Sequence, residues 1–211
     1  MYSDFFNQLK EEFKRELPGE PAQEKMAPNV RRHFKTSAKR RNAGVLILLF
    51  PKNKQLYTVC IKRTEYEGAH SGQISFPGGK FEPGDQNLEQ TALRESKEEI
   101  GIIPEKVSVL GKLTPLHIPV SNFYVLPFVG FYETAPKFKR DPNEVEKIIE
   151  IPLSDLLNPK NCTLQEFHYG DLAFTAPIYK PKELVIWGAT AMIMSEFLEV
   201  VKKGIILKNS W

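Results

Sequence analysis

The sequence predicts an α/β protein in which helices cover a mixed β-sheet. Three observations carry this reading. The apolar run AGVLILLF at 43–50 has the length of a strand and is bounded by Pro51, as expected of a strand buried on both faces. Other strand-like runs interleave with helical periodicity, and several are joined by short turns, which makes the sheet mixed. The 211 residues, 41% of them hydrophobic, suffice for one substantial core.

Each element follows from local pattern. Phe5, Phe6, Leu9, Phe13 and Leu17 recur at helical spacing, predicting an amphipathic helix over 3–17 that Pro18-Gly19 stops. Residues 18–42, with Pro21 and Pro28, read as irregular and end in a basic run of Arg31, Arg32, Lys35, Lys39, Arg40 and Arg41. The expected organisation is an N-terminal helix and basic connector over 1–42 and one domain over 43–211. After the first strand, PKNK forms a turn into a second strand at 55–63. GQISFPGG (72–79) is a short strand ending in a glycine turn, and 88–100 is helical. Strands follow at 107–114 and 123–132, where Pro127 predicts an edge or a bulge. A strand at 145–153 leads to a short helix at 154–157 with Ser154 as its cap. A hairpin turns at Gly170-Asp171, and the last helix spans 188–202.

Bulk properties exclude several classes. The net charge of +3 is too small to argue for a nucleic-acid surface. Cys60 and Cys162 lie far apart without metal-finger spacing, so no disulfide or zinc framework is expected. The N-terminal stretch has no apolar run long enough for a signal peptide, and no stretch approaches the 18 or so apolar residues of a membrane span. A cytoplasmic protein without a membrane partner is expected. The oligomeric state, homodimer included, is left open.

The segment GGKFEPGDQNLEQTALRESKEEIG (78–101) carries the chemistry. On a helical wheel, Leu88, Ala92, Leu93 and Ile100 mark a buried arc with Ser96 inside it, and Glu99 falls at its edge. Glu95 and Glu98 lie on the adjoining arc. A carboxylate directed inward is costly unless a positive charge compensates, and Arg94 alone cannot neutralise three acids. Acid-rich helices are often only solvated faces. The glycine turn, the spacing, the arginine and the inward Glu99 together favour a divalent-cation site, for which oxygen ligands at i and i+4 suit Mg²⁺ or Mn²⁺. The glycine turn would let a backbone carbonyl approach as a further ligand.

This stretch resembles the Nudix box, G-x5-E-x7-R-E-U-x-E-E-x-G-U with U a bulky apolar residue. Gly79, Arg94, Glu95, Glu98, Glu99, Gly101 and Ile102 match. Asp85 stands near the place of the first glutamate, with one extra residue before Arg94, and Ser96 replaces the apolar residue. Upstream, VCIKRTEYEGAHSGQISFPGG is similar to a pattern of the coenzyme A pyrophosphatase branch, LLTxR[SA]x3Rx3Gx3FPGG, through Arg63, Gly72, Phe76, Pro77, Gly78 and Gly79. Thr64 and Gly68 depart from it, Gly68 where an arginine is usual. The similarity covers roughly 43–155, and IWGATA at 186–191 also resembles such hydrolases.

The resemblance implies an α/β/α sandwich with the box forming a loop–helix–loop, and a hydrolase using Mg²⁺ or Mn²⁺ on a nucleoside diphosphate linked to another moiety. It implies Glu95, Glu99 and Glu98 as metal ligands with the Gly79 carbonyl. Arg94 orients them, Glu144 rather than Glu146 is the general base, and Arg63, Gly72 and Phe76 bind substrate. The substrate expected is coenzyme A or acyl-CoA, ahead of ADP-ribose, NADH or nucleoside triphosphates. A non-catalytic binding module is disfavoured because the box glutamates remain. His70 and the basic run read as solvated, with phosphate attraction as the alternative. Phe123 and Tyr124 are candidates for stacking on adenine, and Trp187 for core packing.

Overall fold

In the computed structural model, residues 3–30, 39–65, 72–169 and 172–206 are described. An eight-stranded mixed sheet forms the centre: β1 (Arg41–Lys52), β2 (Gln55–Arg63), β3 (Ile74–Ser75), β4 (Gly78–Lys80), β5 (Val107–Lys112), β6 (Leu116–Ile118), β7 (Phe123–Tyr132) and β8 (Val145–Pro152). β1 and β7 run parallel, and every other pair is antiparallel. Helices α1 (Ser3–Glu12), α2 (Gly19–Glu24), α3 (Leu88–Ile100), α4 (Leu153–Leu157) and α5 (Gly188–Ile206) pack around it. β9 (Cys162–Tyr169) and β10 (Leu172–Tyr179) form a separate two-stranded sheet. The register Tyr169↔Leu172 fits the hairpin predicted at 170–171, although those two residues lie outside the described ones.

The sheet is buried on both faces, as the run at 43–50 predicts. Leu46 to Phe50 are fully buried. Ile47 and Leu49 join the core under α1 and α5, whereas Leu46, Leu48 and Phe50 join the core under α3. This two-sided alternation makes the α/β/α sandwich.

The β1–β2 hairpin is zipped only near its turn, from Leu49↔Thr58 to Lys52↔Gln55. Beyond that it splays. β4 pairs with the start of β1, and β3 with the end of β2. The predicted single strand at 72–79 is therefore two short strands, one on each lip of the split, separated at Phe76-Pro77, where proline cannot continue a ladder.

Other boundaries move for identifiable reasons. α1 ends at Glu12 rather than 17, although Phe13 and Leu17 still pack on the core. The residue before Pro18 disfavours helix, and the chain unwinds through turns. Residues 19–24, expected to be irregular, form α2, because Pro21 sits in its first turn, where its missing N–H has no partner to lose. Ser154 does not cap α4, which starts one residue earlier at Leu153 without a side-chain cap bond. Pro127 lies in the central strand β7, not at an edge. Its carbonyl accepts from the Leu113 N–H on the side where β7 passes from β5 to β6, so the missing N–H falls in that gap. The bulge is in the facing strand, between Val109 and Gly111.

The N-terminal segment shares this core. Phe5, Phe6 and Leu9 are buried with α5 residues, and the Phe6 ring stacks on Phe131 at 3.6 Å. Glu196 of α5, fully buried, clamps α2: it accepts from Gln23 Nε2 at 2.8 Å, the Gly19 N–H at 3.3 Å and the Thr114 N–H at 3.1 Å. Gln23 Nε2 also donates to the Thr114 carbonyl at 2.9 Å. Glu196→Ala would strand these buried donors and is expected to destabilise by about 3 kcal/mol, read as a lower urea midpoint with early proteolysis in the first 30 residues.

Candidate active site

The site forms where the splayed hairpin meets the C-terminal half of α3. Asn87 caps that helix, its Oδ1 accepting from the Gln90 N–H at 3.0 Å, and Gly101 ends it in the left-handed region at φ 71°. The buried face of α3 comprises Thr91, Ala92, Ser96, Glu99 and Ile100. Ser96 is tolerated there because its hydroxyl donates to the Ala92 carbonyl at 2.6 Å.

Glu99 points inward and is 1% exposed. Its Oε2 accepts the Gly78 N–H at 2.8 Å, and its Oε1 lies 3.5 Å from Arg63 Nη1. Gly78 has φ 142°, which only glycine adopts readily, and this conformation aims its N–H at the carboxylate. One turn back on α3, the Glu95 carboxylate lies against the Gly79 backbone so closely that a Cβ there would come within 2.4 Å of its carboxyl carbon. Two adjacent glycines thus seat the two carboxylates.

The third carboxylate comes from the loop before β8. The Lys139 N–H donates to the Ile100 carbonyl at 2.9 Å, and the Asp141 N–H to the Glu99 carbonyl at 3.1 Å, using acceptors the helix end leaves open. On the other side, Thr64 donates through its N–H to the Glu144 carbonyl and through its hydroxyl to the Asn143 carbonyl, both at 3.1 Å. Glu144 is held between the end of β2 and the end of α3. One oxygen each from Glu95, Glu99 and Glu144 lies within 4.8 Å of the others.

Arg94 is the hub on the outer side. It makes a two-pronged contact with Asp85, at 2.9 and 3.1 Å, and reaches Glu95 at 3.1 Å, Glu98 at 3.0 Å and the Lys80 carbonyl at 3.2 Å. Asp85 also accepts from the Thr91 hydroxyl at 2.9 Å and the Glu82 N–H at 3.0 Å. This gives Asp85 a physical role, which is to anchor Arg94 to the loop between β4 and α3. Glu98 stays apart from the other acids. Its side chain is 56% exposed and turned to Arg94, because its place on the helix directs it to solvent. Of the three box glutamates expected as ligands, Glu95 and Glu99 are brought together with Glu144, and Glu98, expected to ligate directly or through water, is not among them.

The electrostatics follow from these contacts. Burial pushes the Glu99 carboxyl up to about 8. The Gly78 N–H and Arg63 oppose that shift, while Glu95 and Glu144 add to it. Burial also raises Glu95, against Arg94. Asp85 moves the opposite way, held well below the usual carboxylate range by Arg94 first and by the Glu82 N–H and Thr91 besides, against its own burial. The three crowded carboxyl groups meet Arg63 at 3.5 Å and an Arg94 already shared with Asp85 and Glu98, which leaves the set short of positive charge, and hard oxygen ligands of this kind fit a divalent cation such as Mg²⁺ or Mn²⁺.

The carboxylates line a cleft of about 450 Å³. Of the expected substrate-binding residues, Arg63 and Phe76 line it, Phe76 from the core side. Gly72 does not. At φ 65° it closes the loop after β2, with its N–H 3.4 Å from the Thr64 carbonyl. Trp187 packs on Phe167 and Phe174 of the β9–β10 hairpin, with ring centroids at 4.6 and 5.7 Å. Phe123 lines the cleft, whereas Tyr124 stacks on His117 at 4.5 Å. Gly68, His70, Ser71 and the basic residues Arg31, Arg32 and Lys35 lie outside the described residues. Arg41 and Thr190, not singled out as individual site residues from sequence, also line the cleft. The period-2 alternation of β1 was the available signal for Arg41, since Arg41, Ala43 and Val45 share the cleft face.

Asp85→Asn keeps the shape but removes the charge that Arg94 grips, and is expected to cost about 1–3 kcal/mol. Because the folded-state pKa of Asp85 lies below the unfolded value, its contribution is complete above the unfolded pKa and fades as pH falls toward the folded one. Urea titrations at pH 7 and pH 3 should therefore show a smaller gap between variant and wild type at pH 3.

Comparison with known proteins agrees with this geometry. Residues 39–169 match the NUDIX domain family. The Nudix hydrolase NudL of Photorhabdus laumondii, itself uncharacterised, is 33% identical over 205 residues, covering 95% of this chain and 97% of the relative. Its namesake in Yersinia pestis is 36% identical over 167 residues, covering 78% and 82%. A MutT/nudix family protein of Enterococcus faecalis shares the fold, with a TM-score of 0.52 at 18% identity over 79% of this chain and 64% of that one. With its box helix, glycine turn and clustered glutamates assembled on this sandwich, the chain belongs to the Nudix hydrolase family.

Proposed function

We propose that this Nudix hydrolase cleaves the pyrophosphate of coenzyme A or its acyl derivatives, giving 3′,5′-ADP and a 4′-phosphopantetheine product. One observation carries the catalytic part: Glu95, Glu99 and Glu144 converge in one cleft, with Arg63 beside Glu99. The upstream pattern Arg63, Gly72 and Phe76 to Gly79 supports the coenzyme A part. Two of its members, Arg63 and Gly78, contact Glu99 directly, and Gly79 abuts Glu95.

Glu95, Glu99 and Glu144 would hold Mg²⁺ or Mn²⁺, with the Gly79 carbonyl as a further ligand. Such an ion neutralises the charge of the anhydride and lowers the pKa of bound water. Gly78 and Arg63 keep Glu99 aimed at the cleft. Arg94, fixed by Asp85 and Glu98, orients Glu95 through a charge-assisted bond rather than touching substrate. Glu144, the most exposed of the three acids, takes the proton of the attacking water. Arg63 faces the negative charge of the phosphates.

Glu95→Gln and Glu99→Gln should each lower kcat at least about a hundredfold, the scale of losing one preorganised electrostatic group, and weaken Mn²⁺ binding measured by electron paramagnetic resonance. Full Mn²⁺ affinity in either variant would refute the ligand assignment. The substrate assignment is tested by separating products from a panel of coenzyme A, ADP-ribose, NADH and nucleoside triphosphates with Mg²⁺ or Mn²⁺. Coenzyme A should give the highest kcat/KM, and a better rate on any other member would overturn it.

A further inference from the structure

We propose that Arg41 is the specificity-determining residue for a phosphate ester on the sugar of the nucleotide, the group that distinguishes coenzyme A from dephospho-coenzyme A. This deepens the coenzyme A reading and rests on it. Arg41 opens β1 and is in register with Phe123, the first residue of the parallel strand β7. Alternation places both side chains on the cleft face. The guanidinium lies 4.1 Å from the centre of the Phe123 ring, and Nη2 donates to the Ser121 carbonyl at 2.8 Å. The Arg41 N–H also donates to the Asn122 carbonyl at 3.0 Å, so backbone and side chain are tied to the same turn.

The charge balance differs between the two ends of the cleft. Arg63 faces Glu99, and Arg94 is surrounded by Asp85, Glu95 and Glu98. Arg41 has no carboxylate partner among the described residues. Its planar fork, held by a ring face and one carbonyl, keeps further N–H donors for a bidentate contact with phosphate. Lys80, opposite Ala43, stands between the two ends and offers a point charge on a flexible stem.

Distance separates the two anion sites. Gly78, which holds Glu99, pairs with Val45, four residues along β1 from Arg41. At about 3.3 Å per residue this is about 13 Å, beyond the reach of an arginine side chain to an anhydride held at the carboxylates. Arg41 therefore meets a second anionic group on the same substrate. The neighbouring Arg40 supplies a control. It faces the other side of the strand, 3.6 Å over the Tyr124 ring.

The test compares kcat/KM for coenzyme A and dephospho-coenzyme A in wild type, Arg41→Met, Arg41→Lys and Arg40→Met. Wild type should favour coenzyme A by about tenfold to a hundredfold, the range expected from one charged hydrogen-bonded contact. Arg41→Met should erase that preference through KM and leave the dephospho substrate within about twofold. Arg41→Lys should restore part of the preference, and Arg40→Met should retain all of it. An equal loss on both substrates in Arg41→Met, or an undiminished preference, would overturn the proposal. Calorimetry with 3′,5′-ADP and 5′-AMP reads the same contact without hydrolysis. If wild type cleaves neither coenzyme A compound, the coenzyme A reading fails, and equal affinity of wild type for the two nucleotides would separately refute the role of Arg41.

Discussion

Three carboxylates held within a few ångströms repel one another, and the folded chain must sustain that repulsion. Glu99 is the most buried of the three, and burial weighs on it more than its neighbours' charges do. It also sits at the C-terminal end of α3, where the helix dipole opposes another negative charge. What holds it is local and specific: one backbone N–H from Gly78 at 2.8 Å and one guanidinium at 3.5 Å. These do not cancel the burial, since its carboxyl remains well above the usual carboxylate range. A site left short of positive charge in this way is suited to take up a cation when substrate phosphates arrive, because ion and phosphates then neutralise each other in the same space.

Much of the surrounding architecture follows from that constraint. The β1–β2 hairpin must open so that β4 can lie beside β1 and present two glycine backbones to α3. A Cβ at Gly79 would strike Glu95, and one at Gly101 would come within 2.9 Å of the Lys139 carbonyl, displacing the loop that carries Glu144. Arg94 and Asp85 then hold the outer side of the helix, where the charge can be balanced without entering the cleft. The inner face is poised and the outer face is neutralised, which assigns the three box glutamates, Glu144 and Asp85 to two different tasks.

How much of this was legible in sequence depended on whether the signal was local. The inward turn of Glu99 could be read from the helical wheel, because a 3.6-residue period is a property of α3 alone. The double burial of β1 could likewise be read from an unbroken apolar run. The splitting of 72–79 into two strands and the clamp at Glu196 were not legible, since their partners lie 12 to 177 residues away. The prolines misled in an instructive way. Pro21 and Pro127 were read as breaks, yet each falls where its missing N–H has no acceptor to lose. Glu144 came from resemblance to relatives. Its meeting with Glu99 rests on backbone bonds from the 139–141 segment to the end of α3, and no local pattern records these.

The two ends of the cleft show how one strand can separate two kinds of recognition. Along β1, Val45 lies beside the glycine that orients Glu99, Ala43 leaves space opposite Lys80, and Arg41 lies beside Phe123. All three project to the same face because they are two residues apart. At one end acids predominate, and a cation must mediate contact with phosphate. At the other an arginine meets anions directly. A substrate with an anhydride and a separate phosphate ester would satisfy both ends at once, whereas one carrying the anhydride alone would leave the Arg41 end unfilled. Position along a rigid strand, rather than a mobile loop, then sets which nucleotides fit.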